Sequence, residues 1–405
     1  MTRNVSSAFV DASNLISFSV AHFVVDFACA FLLFRMEGLN AISYQHAALL
    51  FVAYNALAFG LEVLIGSFCT ARNQWRISIT GVALVALALV IGWKISSLFS
   101  ANHQDLATSS VEAGLAHIAT STNSSRGLLL WLSLASVLAG IGNASFHVGG
   151  GVDSLSRNIG KYWRSGVFIS TGSLGIALGV IAGGNPDSFS FARVFGLLAF
   201  CTVLLFASSL IARVETSETR TDFPQVAEPF DNRPILLFVT SCALYVIFVR
   251  SALGFFAPVE FQIRTDILTN GLALATGAFL GKFVGGFLAD FISARAIGSL
   301  ALILSIPALI FSDSFVVFWF GVFFLNTTTS ITLVSTAQGC RGRNGFAFGL
   351  TTLALLIGFF FFSAIRGASF LREHETFIQV VNVLILLSSA IALFLSTRKS
   401  HPNVD

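Results

Sequence analysis

The chain is written as long apolar runs separated by shorter polar ones. A run of about 20 mostly apolar residues can cross the hydrocarbon of a bilayer as a helix. Twelve such runs follow one another, at 12–34, 46–69, 77–98, 127–148, 164–183, 190–211, 234–257, 266–289, 294–311, 314–337, 345–366 and 374–396. They do not alternate apolar with polar residues, as the strands of a membrane β-barrel do. The ninth run is short and carries Pro307, which cannot donate a helix hydrogen bond. The expected fold class is an all-α integral membrane protein with twelve transmembrane helices.

Most connections are short, and two are not. Residues 99–126 read as a polar loop rich in Ser and Thr. Residues 212–233 hold Glu215, Glu218, Asp222, Glu228 and Asp231 among Pro224 and Pro229, with Pro234 following. This second stretch comes after six spans and reads as a cytoplasmic linker. The expected division is a six-helix bundle over 1–211, the linker over 212–233 and a second six-helix bundle over 234–405. With the N-terminus inside, fourteen loop Lys and Arg fall on the inner side, Arg72, Arg157, Lys161 and Arg343 among them, against seven outside. That bias predicts cytoplasmic termini. The compact loops suit a bacterial inner membrane.

Composition agrees and excludes other classes. Of 405 residues, 55% are apolar and 11% are charged, against about 25% charged in soluble domains. Mean hydropathy is +0.83. A soluble, secreted or nucleic-acid-binding protein is excluded. The net charge of +3 is too slight to suggest a polyanion partner. The five cysteines lie in or beside apolar runs without CxxC spacing, so no disulfide frame or zinc site is implied. The first run carries Asp26 and continues to Phe34 without a small-residue cleavage pattern, which is no cleavable signal.

Ionisable groups inside spans cost several kcal/mol and mark functional positions. His22 and Asp26 are four residues apart, on one helical face. Such a pair can bind a proton in response to local water and charge, or hold the first span to a neighbour. Glu62, near the inner end of the second span, can carry a proton or pair with Arg76 or Lys282. His147, in a Gly-rich stretch of the fourth span, can face His22 and Asp26 or bond to backbone. Arg250 lies roughly 24 Å along the seventh span and must meet an anion. That anion is a solute carboxylate or phosphonate, or Asp26. Lys282 can contact solute or snorkel to the surface. Arg366, at an outer helix end, reads as an anchor. His22, Asp26 and His147 are also plausible ligands of a borderline divalent metal. His147 with Asp153 fits no catalytic arrangement. No nucleophile is placed beside a base and no nucleotide loop is present, so neither an enzyme nor a cofactor is expected.

The two halves also echo each other. The stretch Glu62 to Thr70 overlays Lys282 to Asp290, with Gly66 on Gly286, 220 residues apart. Half-to-half similarity is a transporter signature. In the fifth span Gly175, Gly179 and Gly183 form a stripe that permits close helix contact. The stretch Gly286-Phe-Leu-Ala-Asp290-Phe-Ile-Ser-Ala-Arg295 resembles the Gly-x-Leu-Ala-Asp…Arg loop of the major facilitator superfamily. The resemblance implies two pseudo-symmetric six-helix bundles that rock about a central site. It also implies a gating motif at Gly286, Asp290 and Arg295, whose Asp makes a breakable contact near basic side chains. In the first half Thr70 replaces that Asp.

Three further segments resemble the fosmidomycin-resistance-like branch of that superfamily. They are His22-Phe-Val-Val-Asp26, Gly140-Ile-Gly-Asn-Ala-Ser-Phe-His147-Val-Gly-Gly, with Val148 in place of a Pro, and Arg250-Ser251 followed by Phe255 and Pro258. The resemblance implies a proton-driven antiporter that exports a small organic solute or drug. His22, Asp26 and Glu62 would carry the proton. Arg250, His147 and Lys282 would bind a solute with an anionic group, and the chain would act as a monomer in the bilayer. A proton-coupled importer, a divalent metal or metal-chelate carrier, and a transporter-like receptor are the competing expectations.

Overall fold

In the computed structural model, residues 5–37, 43–108, 111–157, 160–185, 189–219, 233–252, 267–366 and 374–397 are described. They form fourteen α-helices: α1 Val5–Glu37, α2 Tyr44–Gly60, α3 Glu62–Phe68, α4 Gln74–Thr108, α5 Val111–Ser156, α6 Trp163–Gly184, α7 Phe191–Thr219, α8 Arg233–Arg250, α9 Ile267–Leu288, α10 Ala294–Ile310, α11 Phe315–Thr327, α12 Thr329–Gly339, α13 Asn344–Arg366 and α14 Glu375–Ser396. A π-helical turn, Ala289–Ser293, joins α9 to α10.

Eleven stretches are long and apolar enough to cross a membrane. One of them, Asn270–Ile310, has 41 residues. That is about 60 Å of helix, twice the hydrocarbon thickness of about 30 Å. Ser293 breaks it: its backbone is extended and its hydroxyl accepts from the Ala296 N–H as the cap of α10. The stretch therefore makes two passes, and the total is twelve, as the apolar runs predict. The linker residues 220–232, and Phe255 and Pro258 of the seventh-span motif, lie outside the described residues.

One expectation fails. The polar stretch 99–126 is not a loop: α4 continues to Thr108 and α5 begins at Val111. A helix satisfies its own backbone groups wherever it runs, so polar side chains beyond the hydrocarbon do not end it.

The first span is the axis of the N-terminal half. Over Phe9–Met36, 83% of the most apolar window is buried. Gly175, Gly179 and Gly183 of α6 press on the carbonyls of Phe23, Phe27 and Phe31, where a methyl group would collide with backbone. One end of the same contact is fixed by Arg35, which donates to the carbonyls of Ala182, Asn185 and Phe189 in and just after the last turn of α6. At the other end Asp153 of α5 accepts from Gln74 and Arg157 and lies 3.6 Å from Arg164. Arg157, expected as a plain loop cation, is thus built with Arg164 into a staple among α4, α5 and α6.

Two apolar clusters result. One joins α1, α2 and α4 to α7 and receives Leu333, Val334, Ala347 and Phe348 from α12 and α13. The other is formed by α8 and α10 to α14. Two seams close the molecule between the clusters at one end. Gly286 of α9 meets Gly166 of α6, and Gly66 of α3 meets Gly345 of α13. These are the two glycines that overlay in the half-to-half repeat. The first seam is also latched. The Asp290 carboxylate accepts from the backbone N–H groups of Tyr162, at 3.1 and 3.0 Å, and of Trp163, at 2.9 Å. A carboxylate at the free amides of a helix N-terminus is favoured by both hydrogen bonding and the helix dipole. Burial beside Asp290 pushes the Tyr162 phenol up to about 12.

Replacing Asp290 by Ala removes charge-assisted hydrogen bonds from a half-buried site. We expect the closed end to lose about 1.5 kcal/mol, roughly a tenfold shift toward opening. Spin-label distances across the α6–α9 seam should lengthen in Asp290→Ala, and an unchanged distribution would show that the latch holds nothing.

Candidate functional site

The charges that lie inside the spans meet near the middle of the molecule. His22 and Asp26 project from one face of α1, with His22 Nε2 3.3 Å from Asp26 Oδ2. His147 of α5 approaches the same carboxylate, Nε2 to Oδ1 at 3.0 Å. Its other nitrogen, Nδ1, lies 3.1 Å from Glu62 Oε1 at the start of α3. His22 Nδ1 lies 2.7 Å from the Phe168 carbonyl of α6. Four helices therefore share one hydrogen-bonded chain, and His22, Asp26, Glu62 and His147 are all buried. The two imidazoles stand edge to face with centroids 4.7 Å apart. Gly172 of α6 makes room for the pair: a Cβ there would collide with Asp26 Oδ2 and His22 Nε2.

This resolves the partners the sequence left open. Glu62 pairs with His147, not with Arg76 or Lys282. His147 is not a helix-end histidine bonded to backbone; it bridges two carboxylates. Asp26 pairs with the two histidines, and among the described residues Arg250 makes no ion pair.

Arg250 and Lys282 face the cluster across a cavity of about 250 Å³. Both are half-buried and both line it, together with His22, Asp26 and His147. Among the described residues the Arg250 guanidinium reaches only the Thr332 hydroxyl, at 3.5 Å, the outer limit for a hydrogen bond. Lys282 does not snorkel to the surface: its Nζ donates to Ser173 Oγ of α6 at 2.6 Å. The wall between them is rich in hydroxyls. Thr329 and Thr332 of α12 line the cavity beside Asn326 of α11. Sequence reasoning passed over these residues. The signal was present as a polar run, Thr327-Thr-Thr-Ser-Ile-Thr, inside an apolar span. The Thr hydroxyls bond back to carbonyls three or four residues earlier, so the helix tolerates them.

The expected gating residues lie apart from this cavity, at the closed end. Gly286 forms the seam and Asp290 the latch. The partner of Asp290 differs from expectation: it is the backbone of α6, not a basic side chain. Arg295 faces away from it, donating to the Thr397 carbonyl at 3.4 Å and lying over the Phe394 ring.

No protein-family model matches this sequence, and no curated protein matches it. Solved structures do. The chain superposes on a bacterial homologue of the iron transporter ferroportin in an outward-facing state, with TM-score 0.63, 15% identity, and 96% of this chain and 100% of that one covered. It superposes on the major facilitator superfamily transporter FucP in its outward conformation, with TM-score 0.58, 14% identity, and 95% and 98% covered. This chain has the major facilitator fold. A variant of FucP, named as the E. coli fucose:proton symporter, gives TM-score 0.57 at 13% identity over 95% and 98% of the two chains. In a major facilitator fold, the cavity described above lies between the two six-helix halves, and the paired seams α6–α9 and α3–α13 are among the places where the halves touch.

Removing His147 leaves Asp26 and Glu62 without their shared partner in a buried site. Breaking a buried charged pair costs on the order of 3–5 kcal/mol. His147→Ala should therefore melt well below the wild type in detergent, and Glu62→Gln, which keeps an acceptor for His147, should melt close to it. Equal melting temperatures for wild type and His147→Ala would show that the bridge carries no stability.

Proposed function

We propose that the chain is a secondary active transporter of the major facilitator superfamily, not an enzyme. It moves a small anionic solute by alternating access, coupled to protons. The observation that carries this reading is Arg250, a guanidinium inside a span, lining the central cavity without a carboxylate partner among the described residues. An arginine in such a place keeps its charge and requires an anion. Lys282, which has only a hydroxyl partner among the hydrogen bonds of the cavity, adds a second cation on the same wall. The cavity is smaller than the range of about 300–1,000 Å³ usual for drug-sized ligands, which favours a small metabolite over a bulky drug.

The proton sites in this reading are His22, Asp26 and Glu62, with His147 joining them. Their hydrogen-bonded chain faces the solute site, so loading one changes the field at the other. The division into bundles at 1–211 and 234–405, with a linker at 212–233, is part of the proposal. So are cytoplasmic termini, a bacterial inner membrane and a monomeric transporter. With the termini inside, the closed end is cytoplasmic and the described state faces outward, like the ferroportin homologue and FucP. Membership of the fosmidomycin-resistance-like branch is supported by the convergence of its motif residues His22, Asp26, His147 and Arg250 on one cavity. That branch favours export by proton exchange; the naming of one neighbour as a proton symporter keeps import as the second direction.

A melting screen of the purified protein in detergent tests the anion site. A ligand at 100 times its dissociation constant should stabilise the native state by roughly 2.7 kcal/mol. Small carboxylates or phosphonates should raise the melting temperature of the wild type and not of Arg250→Ala. Stabilisation by cations alone would remove Arg250 from solute binding.

A further inference from the structure

The N-terminal wall of the cavity has a hydrogen-bonding problem that an anion opposite it does not solve. His22 Nδ1 points at the Phe168 carbonyl and His147 Nδ1 at the Glu62 carboxylate. Both partners are acceptors, so each ring carries its hydrogen on Nδ1. With both rings neutral the two Nε2 atoms present lone pairs, and both point at Asp26, another acceptor. Three electron-rich atoms from His22, Asp26 and His147 converge within 4.8 Å of one another. A proton shared on an imidazole or a metal ion meets that demand.

The arrangement fits a divalent transition metal in four respects. Two imidazoles and a carboxylate are the ligand types of borderline metals. Ligand bonds of about 2.1 Å in a tetrahedral site set neighbouring ligand atoms about 3.4 Å apart. His22 Nε2 lies 3.3 Å from Asp26 Oδ2 and His147 Nε2 lies 3.0 Å from Asp26 Oδ1, and one donor atom from each residue lies within 4.8 Å of the others. Each histidine is oriented through its second nitrogen by a backbone carbonyl or a carboxylate, the outer-shell pattern of metal-bound histidines. Three protein ligands also leave a coordination position open, as in sites that bind an exogenous group. That position faces a cavity whose opposite wall holds Arg250 and Lys282.

We infer that His22, Asp26 and His147 form a divalent transition-metal site, and that the cargo filling the whole cavity is such a metal together with a small anionic chelator. One end of the anion completes the metal coordination, and its free carboxylate or phosphonate lies against Arg250 and Lys282. The metal half of this inference stands on the cluster alone. The anion half rests on the proposed role of Arg250.

Co2+ is the probe for the metal and malate, a hydroxydicarboxylate, for the anion. The full chain is purified in detergent, stripped with a chelator and titrated with Co2+. The visible bands of protein-bound Co2+ should saturate at one equivalent and be lost in Asp26→Asn. Absence of stoichiometric binding in the wild type overturns the inference without recourse to any variant, and so do bands that persist in Asp26→Asn. Malate should tighten Co2+ binding by about tenfold in the wild type. Arg250→Gln should keep the Co2+ bands and lose that enhancement. If malate does not tighten Co2+ binding, the joint cargo is overturned. A separate arm records melting with malate on metal-free protein. If malate stabilises it through Arg250 while Co2+ does not bind, the metal site fails and the anion transporter stands.

Discussion

A charge inside a membrane span must find a partner, and the centre of this molecule is organised by that demand. His147 is the pivotal case. It reaches Asp26 on α1 with one nitrogen and Glu62 on α3 with the other, so one ring ties three helices of the N-terminal half. His22 extends the tie to α6 through the Phe168 carbonyl. Arg35 and Asp153 do the same work near the two ends of that half, with backbone carbonyls and paired guanidinium groups as partners. The C-terminal half shows the contrary arrangement across the cavity. Among the described residues Arg250 and Lys282 meet only hydroxyl groups there. Hydroxyls solvate a cation but do not neutralise it. The charge left over at the C-terminal wall is thus available to whatever enters the cavity.

Much of this was legible in the sequence, for definable reasons. The twelve passes were legible because hydrocarbon thickness sets a length that few soluble helices reach without charge. The Gly175, Gly179 and Gly183 stripe was legible because one helical face repeats every three to four residues. His22 and Asp26 could be placed together for the same reason. Their meeting with His147 was visible as a possibility, because an intramembrane histidine needs a partner.

What stayed hidden depends on atoms that side-chain patterns do not encode. Asp290 was read against basic side chains, yet its partners are two amides at the start of α6. The acceptors for Arg35 are carbonyls at the end of the same helix. Backbone groups at helix ends carry no residue identity, so such contacts leave no mark in composition. The hydroxyl-rich face of α12 escaped because Thr satisfies itself on its own helix and lowers hydropathy only slightly. Residues 99–126 were misread because polarity was equated with irregular backbone, although polarity marks only where the hydrocarbon ends.

The two seams at the closed end differ in what holds them. Both are glycine against glycine, which allows backbones to touch and supplies little beyond dispersion. The α6–α9 seam adds the Asp290 latch. The α3–α13 seam has Thr70 at the equivalent position, and its hydroxyl is bonded to Asn73 within its own turn. The pseudo-symmetry is therefore geometric and not energetic. Opening the closed end breaks charge-assisted hydrogen bonds on one side and, on the other, glycine packing beside a neutral hydrogen bond from Asn344 to Ser156 at 2.9 Å. Glu62, which belongs to the central cluster, lies one turn from Gly66 on the weaker seam, and Gly349 of α13 abuts the Glu62 backbone. The carboxylate that orients His147 and the seam that yields more easily are thus carried by the same short helix, α3. The central cluster and the closed end are thus joined by one helix of seven residues.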